Sequence, residues 1–216
     1  MLKPSSRHRR SIRLKGYDYA SEGGYFITLV AHERQSIFGE IIDGEMRLNN
    51  LGVIARDEWF RTAQMRSYVE LFDDEFVVMP NHIHGIIWIT DQPDRWGTAR
   101  RAPTDDLQRR APTDDLQRRA PTDDLQRRAP IDDPTPNLEQ FGKPVSGSIP
   151  TIVRSYKSVV TKNINELRGA PSNPIWQRNY YEHIITTDRE YESIVEYIDA
   201  NPCAWLNDSE NPLQIH

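Results

Sequence analysis

The chain has 216 residues, 37% of them hydrophobic and 27% charged, with a formal net charge of -5; that length suits one domain with appendages, and the acidic sum does not argue for a DNA partner, which usually calls for basic surface. A single cysteine, Cys203, excludes an intramolecular disulfide and a multi-cysteine zinc site. No apolar run nears the roughly 18 residues of a membrane span and no signal-peptide core is present, so the sequence reads as a soluble protein of a reducing compartment, taken as the bacterial cytoplasm.

In chain order, residues 1–15 form a basic arm carrying Arg7, Arg9, Arg10 and Arg13. Tyr25 to Ala31, aromatic and β-branched after Gly23-Gly24, reads as a strand. Ile37 to Arg47 carries the Asp43-Gly44 hairpin signal between short strands. Val53 to Met65 has a helical apolar pattern, with Val53, Ile54, Trp59, Phe60 and Ala63 as the expected buried positions. Phe76 to Met79 and His84 to Thr90 read as strands joined around Pro80-Asn81.

Residues 91–148 break this pattern. The unit RRAPTDDLQ starts at Arg100 and recurs at Arg109 and Arg118, with a decayed copy from Arg127 to Asp133. Each unit offers one leucine, one proline and balanced charge, too little to offset the entropy of ordering nine residues. The segment is therefore expected to be a long disordered insertion in a loop, where closure entropy rises slowly with length. Beyond it, Ile149 to Leu167 reads as a helix with Pro150 in its first turn and Gly169 as its stop. Tyr181 to Ile185 can form a strand, and Asp188 is the expected N-cap of a helix running to Pro202, with 207–216 as a tail. The order is that of an α+β fold in one domain, residues 16–90 with 149–206. We expect a ferredoxin-like antiparallel sheet with helices packed on one face.

Within this frame a few residues could carry chemistry. His82 and His84 are two apart in an extended segment and so project from one face, where two neutral imidazoles can reach one ion. Ile86 and Trp88 continue on that face, so from spacing alone two sheet histidines with a packing role are the preferred reading. Tyr197 and Asn201, four apart on the last helix, share a side and could supply a nucleophile and an oxygen ligand, or simply pack. Tyr156, Tyr180 and Tyr181 are rival nucleophiles, and His183 is a spare ligand. Arg154, Lys157 and Lys162 load the helix after the insertion with positive charge.

Taken in order, MPNHIHGIIWI, IVRSYKSVVTKNINELRG, IWQRNYYEHII and IVEYIDANPCAW resemble the REP-associated tyrosine transposases, which are single-tyrosine HUH endonucleases. The resemblance runs from about Gly16 to Trp205 without the repeats. It implies His82 and His84 as metal ligands, Tyr197 as the nucleophile and Asn201 as third ligand, with Mg²⁺ or Mn²⁺ as cofactor. The activity implied is nicking and strand transfer on single-stranded or hairpin DNA through a 5′-phosphotyrosine, by a monomer or homodimer. Arg7, Arg9, Arg10, Arg13, Arg154, Lys157 and Lys162 would then contact DNA. A hairpin-binding module of the same fold without catalysis is the second reading.

Overall fold

A computed structural model describes residues 17–90, 145–208 and 211. The described residues all fall in the unit made by residues 1–91 with 137–216. The basic arm and the nine-residue repeats lie outside the described residues.

The fold is α+β with an antiparallel sheet. In chain order the elements are β1 (Gly23–Val30), β2 (Gly39–Ile42), β3 (Glu45–Leu48), α1 (Asn50–Gln64), β4 (Val69–Glu70), β5 (Phe76–Val78), β6 (His82–Ile89), α2 (Ile149–Arg168), β7 (Tyr181–Ile185) and α3 (Asp188–Ala204). Strand β1 pairs with β7 on one side and β6 on the other, and β4 and β5 both pair with β6. All these pairings are antiparallel, and with α1 and α2 as crossovers the arrangement is ferredoxin-like. The β2–β3 hairpin turns through Asp43 and Gly44 at φ of 53° and 79°, the positive values that a two-residue hairpin loop demands.

Alternation along the central strands separates two cores. Tyr25, Ile27 and Leu29 of β1 and Ile83, Ile87 and Ile89 of β6 join Ala55 and Trp59 of α1 and Ile152, Tyr156 and Val160 of α2 in the main one. Trp59 stacks on Phe76 at 4.9 Å and meets Tyr156 edge-on at 5.4 Å. Each such large apolar side chain contributes about 1.5–3 kcal/mol on burial. A Cβ at Gly85 would sit 2.5 Å from Trp59 Cζ2, which explains a glycine in the middle of β6. The opposite face is covered more thinly, by Ile198 of α3 against Phe26 and Ile86.

Helices on one face thus holds for α1 and α2, while α3 crosses the other face. Several boundaries also shift. Strand β6 begins at His82 rather than His84, because His82 continues the ladder opposite Val30. The N-cap of α3 is Thr187, whose hydroxyl accepts from Glu190 N at 3.2 Å, and Asp188 is the first helical residue. Helix α3 also runs through Pro202 to Ala204, since a proline near a helix end removes only one N–H donor. In α1 the buried positions are Gly52, Ala55, Glu58, Trp59 and Thr62; Ile54, Phe60 and Ala63 are only partly covered, and Val53 packs on neither core. Residues Val145–Ser148, read from composition as insertion, form the turn into α2, with Ser148 Oγ donating to Val145 O at 2.7 Å.

Candidate metal centre and nucleophile

His82 and His84 both face away from the main core, towards α3, and both are buried. Each is held from behind. Asn81 Nδ2 donates to Arg34 O at 3.1 Å, which turns the amide oxygen towards His82; His82 Nδ1 lies 2.8 Å from that oxygen and donates to it. Thr28, cross-strand from His84, places Oγ1 2.8 Å from His84 Nδ1. An imidazole that donates through Nδ1 keeps its Nε2 lone pair for a ligand, the usual second layer of a metal site. His82 Nε2 is buried and makes no hydrogen bond among the described residues.

Helix α3 brings the other groups. The hydroxyl of Tyr197 lies 3.2 Å from His84 Nε2, and the residue is 47% exposed. Two turns on, Trp205 lies over His82 with ring centroids 5.9 Å apart. Residues four apart on a helix share a side, so Asn201 falls between these two contacts. Its amide is buried, and Asn201 Oδ1 has no hydrogen-bond partner. Just beyond α3, Asp208 Oδ2 lies 3.7 Å from His82 Nε2. Ligand atoms of His82, His84 and Asp208 all fall within 4.8 Å of one another.

Electrostatics agree with ligand duty. Burial pushes His82 down to about 4, opposed by the charge of Asp208. Burial, and then the neighbouring His82, push His84 well below its ordinary value. Both are therefore neutral at pH 7, the form that binds metal. Two imidazole nitrogens with an amide oxygen and a carboxylate fit a divalent cation, and two buried polar atoms, His82 Nε2 and Asn201 Oδ1, without a hydrogen bond among the described residues fit one better than they fit a packed core.

The structure gathers His82, His84 and Tyr197, and buries Asn201 one helical turn beyond Tyr197. It separates the rivals. Tyr156 lies in the main core with its hydroxyl donating to Ala55 O at 2.9 Å, and burial raises it well above its ordinary value. Tyr180 packs against the same core. His183 is engaged with Glu190. Tyr181 is on the site's face but does not touch the histidines. Arg154 and Lys162 are exposed on α2, which packs on the other side of the sheet, and Lys157 Nζ donates to Gln177 O at 2.6 Å and Arg178 O at 3.3 Å. Arg7, Arg9, Arg10 and Arg13 lie outside the described residues. Sequence reasoning missed Thr28, Asn81 and Asp208. The first two would have needed the strand register, whereas Asp208 carries no sequence signal and falls in what reads as a tail.

Fold and site together define a ferredoxin-like α+β protein with a buried two-histidine centre faced by a helix tyrosine. No family model matches the sequence. An uncharacterised protein of Haemophilus influenzae is 38% identical over 201 residues, covering 93% of this chain and 92% of the relative. The chain belongs to the family of that Haemophilus protein. Among solved structures, a REP-associated tyrosine transposase bound to a REP hairpin is similar at 17% identity and TM-score 0.41, over 90% of this chain and 72% of the other. A provisionally assigned transposase of Deinococcus radiodurans is similar at 12% identity and TM-score 0.41, over 87% of this chain and 96% of the other. At these values the function has to be read from the residues.

Proposed function

We propose that the protein is a divalent-metal-dependent nuclease and strand transferase acting on single-stranded or hairpin DNA, with Tyr197 as nucleophile. The reading is carried by one observation: a helix phenol lies 3.2 Å from an imidazole of a buried strand pair whose Nδ1 atoms are already engaged. The ordered motifs of the sequence, which resemble the REP-associated tyrosine transposases, support it too.

His82 and His84 through Nε2, with Asn201 Oδ1 and Asp208 Oδ2 as oxygen donors, would hold Mg²⁺ or Mn²⁺; two nitrogens make Mn²⁺ a strong competitor. Such an ion, when bound, supplies positive charge that polarises a phosphate and offsets the charge growing on its oxygens. Asn81 and Thr28 fix the two rings, so no reorganisation is needed when the substrate arrives. Helix α3 presents the half-exposed Tyr197 hydroxyl to a strand in solvent. Its oxygen forms a bond to phosphorus as the bond from phosphorus to the 3′-oxygen breaks. The phenolic proton is lost, the departing oxygen gains one as a 3′-hydroxyl, and the 5′-phosphate stays on Tyr197. Reversal by another 3′-hydroxyl joins strands without a nucleotide cofactor. Arg154 and Lys162 would contact strand backbone beyond the reacting phosphate, because α2 lies across the sheet from it, whereas the Lys157 ammonium is held by Gln177 O and Arg178 O; Arg7, Arg9, Arg10 and Arg13 would add an arm.

The test is a denaturing gel of protein incubated with Mn²⁺ and a 3′-labelled DNA hairpin with single-stranded flanks. A labelled protein band is expected for the parent and for Tyr156→Phe, and none for Tyr197→Phe. An adduct that survives Tyr197→Phe overturns the nucleophile. Hairpin binding with no adduct in the parent leaves the binding module as the reading.

A further inference from the structure

One row of side chains crosses the sheet beside the site. His84 on β6 pairs with Thr28 on β1, and Thr28 pairs with Tyr181 on β7. Direct cross-strand partners share a face, so Tyr181 stands on the surface that carries His84. Phe26, one row along, ties the row together. Its ring stacks on His84 at 5.4 Å and meets both Tyr197, at 6.1 Å, and Tyr181, at 6.3 Å, at steep angles. The two tyrosines thus flank one buried phenylalanine.

Their exposure is unusual for that setting. Tyr181 is 48% exposed and Tyr197 47%, whereas Phe26 between them is 8% exposed. Tyr197 has a chemical reason to face solvent under the reading above. Tyr181 has none among the described residues: there its hydroxyl makes no hydrogen bond, and its ring pairs with no aromatic ring other than Phe26. Yet the ring is held, on an edge strand against a fixed neighbour. A large, preset and solvent-facing aromatic ring next to a nucleophile suits a flat apolar partner attached to the reacting phosphate.

We propose that Tyr181 is a stacking platform for an unpaired nucleobase of the strand whose phosphate is held at Tyr197. This rests on the function proposed above and deepens it, because it makes the substrate's single-stranded character a matter of contact. A base in a duplex has its faces covered by its neighbours, while an unpaired base can lie on a tyrosine ring whatever its sequence.

The experiment uses Tyr197→Phe protein, so that nothing is cut, and short single-stranded DNAs carrying 2-aminopurine at successive positions. Stacking quenches this base's fluorescence. Quenching by protein is expected to peak at one position or two neighbouring ones. It should persist in Tyr181→Phe, which keeps the ring, and be lost in Tyr181→Ala with binding weakened about tenfold or more. An abasic site at that position should abolish the difference between Tyr181→Phe and Tyr181→Ala, and a fully duplexed DNA should show no difference between them. Equal binding and equal quenching in the two variants overturns the platform. Failure can be assigned. An adduct in the parent protein with no Tyr181-dependent quenching removes the platform alone; Tyr181-dependent quenching without any adduct removes strand transfer alone; no binding of single strands removes both.

Discussion

The amide of Asn81 offers the sharpest test of the proposal that the histidine pair holds a metal. Its oxygen accepts from His82 Nδ1 at 2.8 Å, and both residues are fully buried, at 0% exposure. In Asn81→Ala the Nδ1–H donor has no acceptor and no route to water. A buried donor left alone costs about 1–3 kcal/mol. The ring can avoid that cost by moving its proton to Nε2, and it then has no lone pair facing the ion. Restoring the binding tautomer brings the cost back, so each 1.4 kcal/mol is roughly a tenfold loss of affinity. The expected outcome is Mn²⁺ binding weakened about ten- to a hundredfold, as for other lost second-layer contacts. Isothermal titration of metal-free protein with Mn²⁺ measures this, with circular dichroism to show that the variant is folded. Asn81→Asp keeps an acceptor and should recover most of the affinity. A folded Asn81→Ala protein that binds Mn²⁺ as tightly as the parent would refute the reasoning.

Three further outcomes follow from the same geometry. Asp208→Asn and Asn201→Ala should each weaken Mn²⁺ binding about tenfold or more, with isothermal titration as the assay; a variant without effect is not a ligand. The metal-free protein should lose stability as pH falls. His82 has its folded value lowered to about 4 from 6.5, so the unfolded chain binds the proton first. The His82 contribution is fully present above 6.5 and is lost towards pH 4, up to roughly 3 kcal/mol, and urea melts across that window should become less steep in His82→Gln, with buried His84 still contributing in the same direction. Gly85→Ala would force a Cβ to 2.5 Å from Trp59 Cζ2 and should cost about 1–3 kcal/mol in a thermal or urea melt.

Much of this was legible in the sequence, for reasons that differ by element. Strands β1 and β6 are apolar runs with turn residues at their ends, and α2 has Pro150 and Gly169 to mark its limits, with Gly169 at φ 60° in the left-handed cap. The hairpin announced itself through Asp43-Gly44. Pairing of His82 with His84 on one face needed only the two-residue repeat of a strand. The side of the sheet taken by α3 was not legible. It depends on whether a short apolar stripe, Tyr191, Ile194, Val195 and Ile198, finds a better surface at Phe26 and Ile86 than beside α1 and α2. Asp208 was out of reach as well, because its place comes from the turn that follows α3, where Asn211 Nδ2 donates to Trp205 O at 2.9 Å. Nor could a count of positive charges on α2 reveal that Lys157 spends its donors on two backbone carbonyls.

The inequality of the two cores has a consequence for how the centre comes and goes. Helix α3 buries only Ile198 and Asn201 of its own residues, while the sheet and its other two helices share the large cluster around Trp59. Opening of α3 alone is therefore expected to cost less than global unfolding. Detachment of that helix would carry Tyr197 and Asn201 away and leave the two imidazoles on an intact strand. Such an opening would part the phenol from the histidine pair while the scaffold stays folded; under the proposed strand transfer, it is the motion by which a tethered strand would change partners.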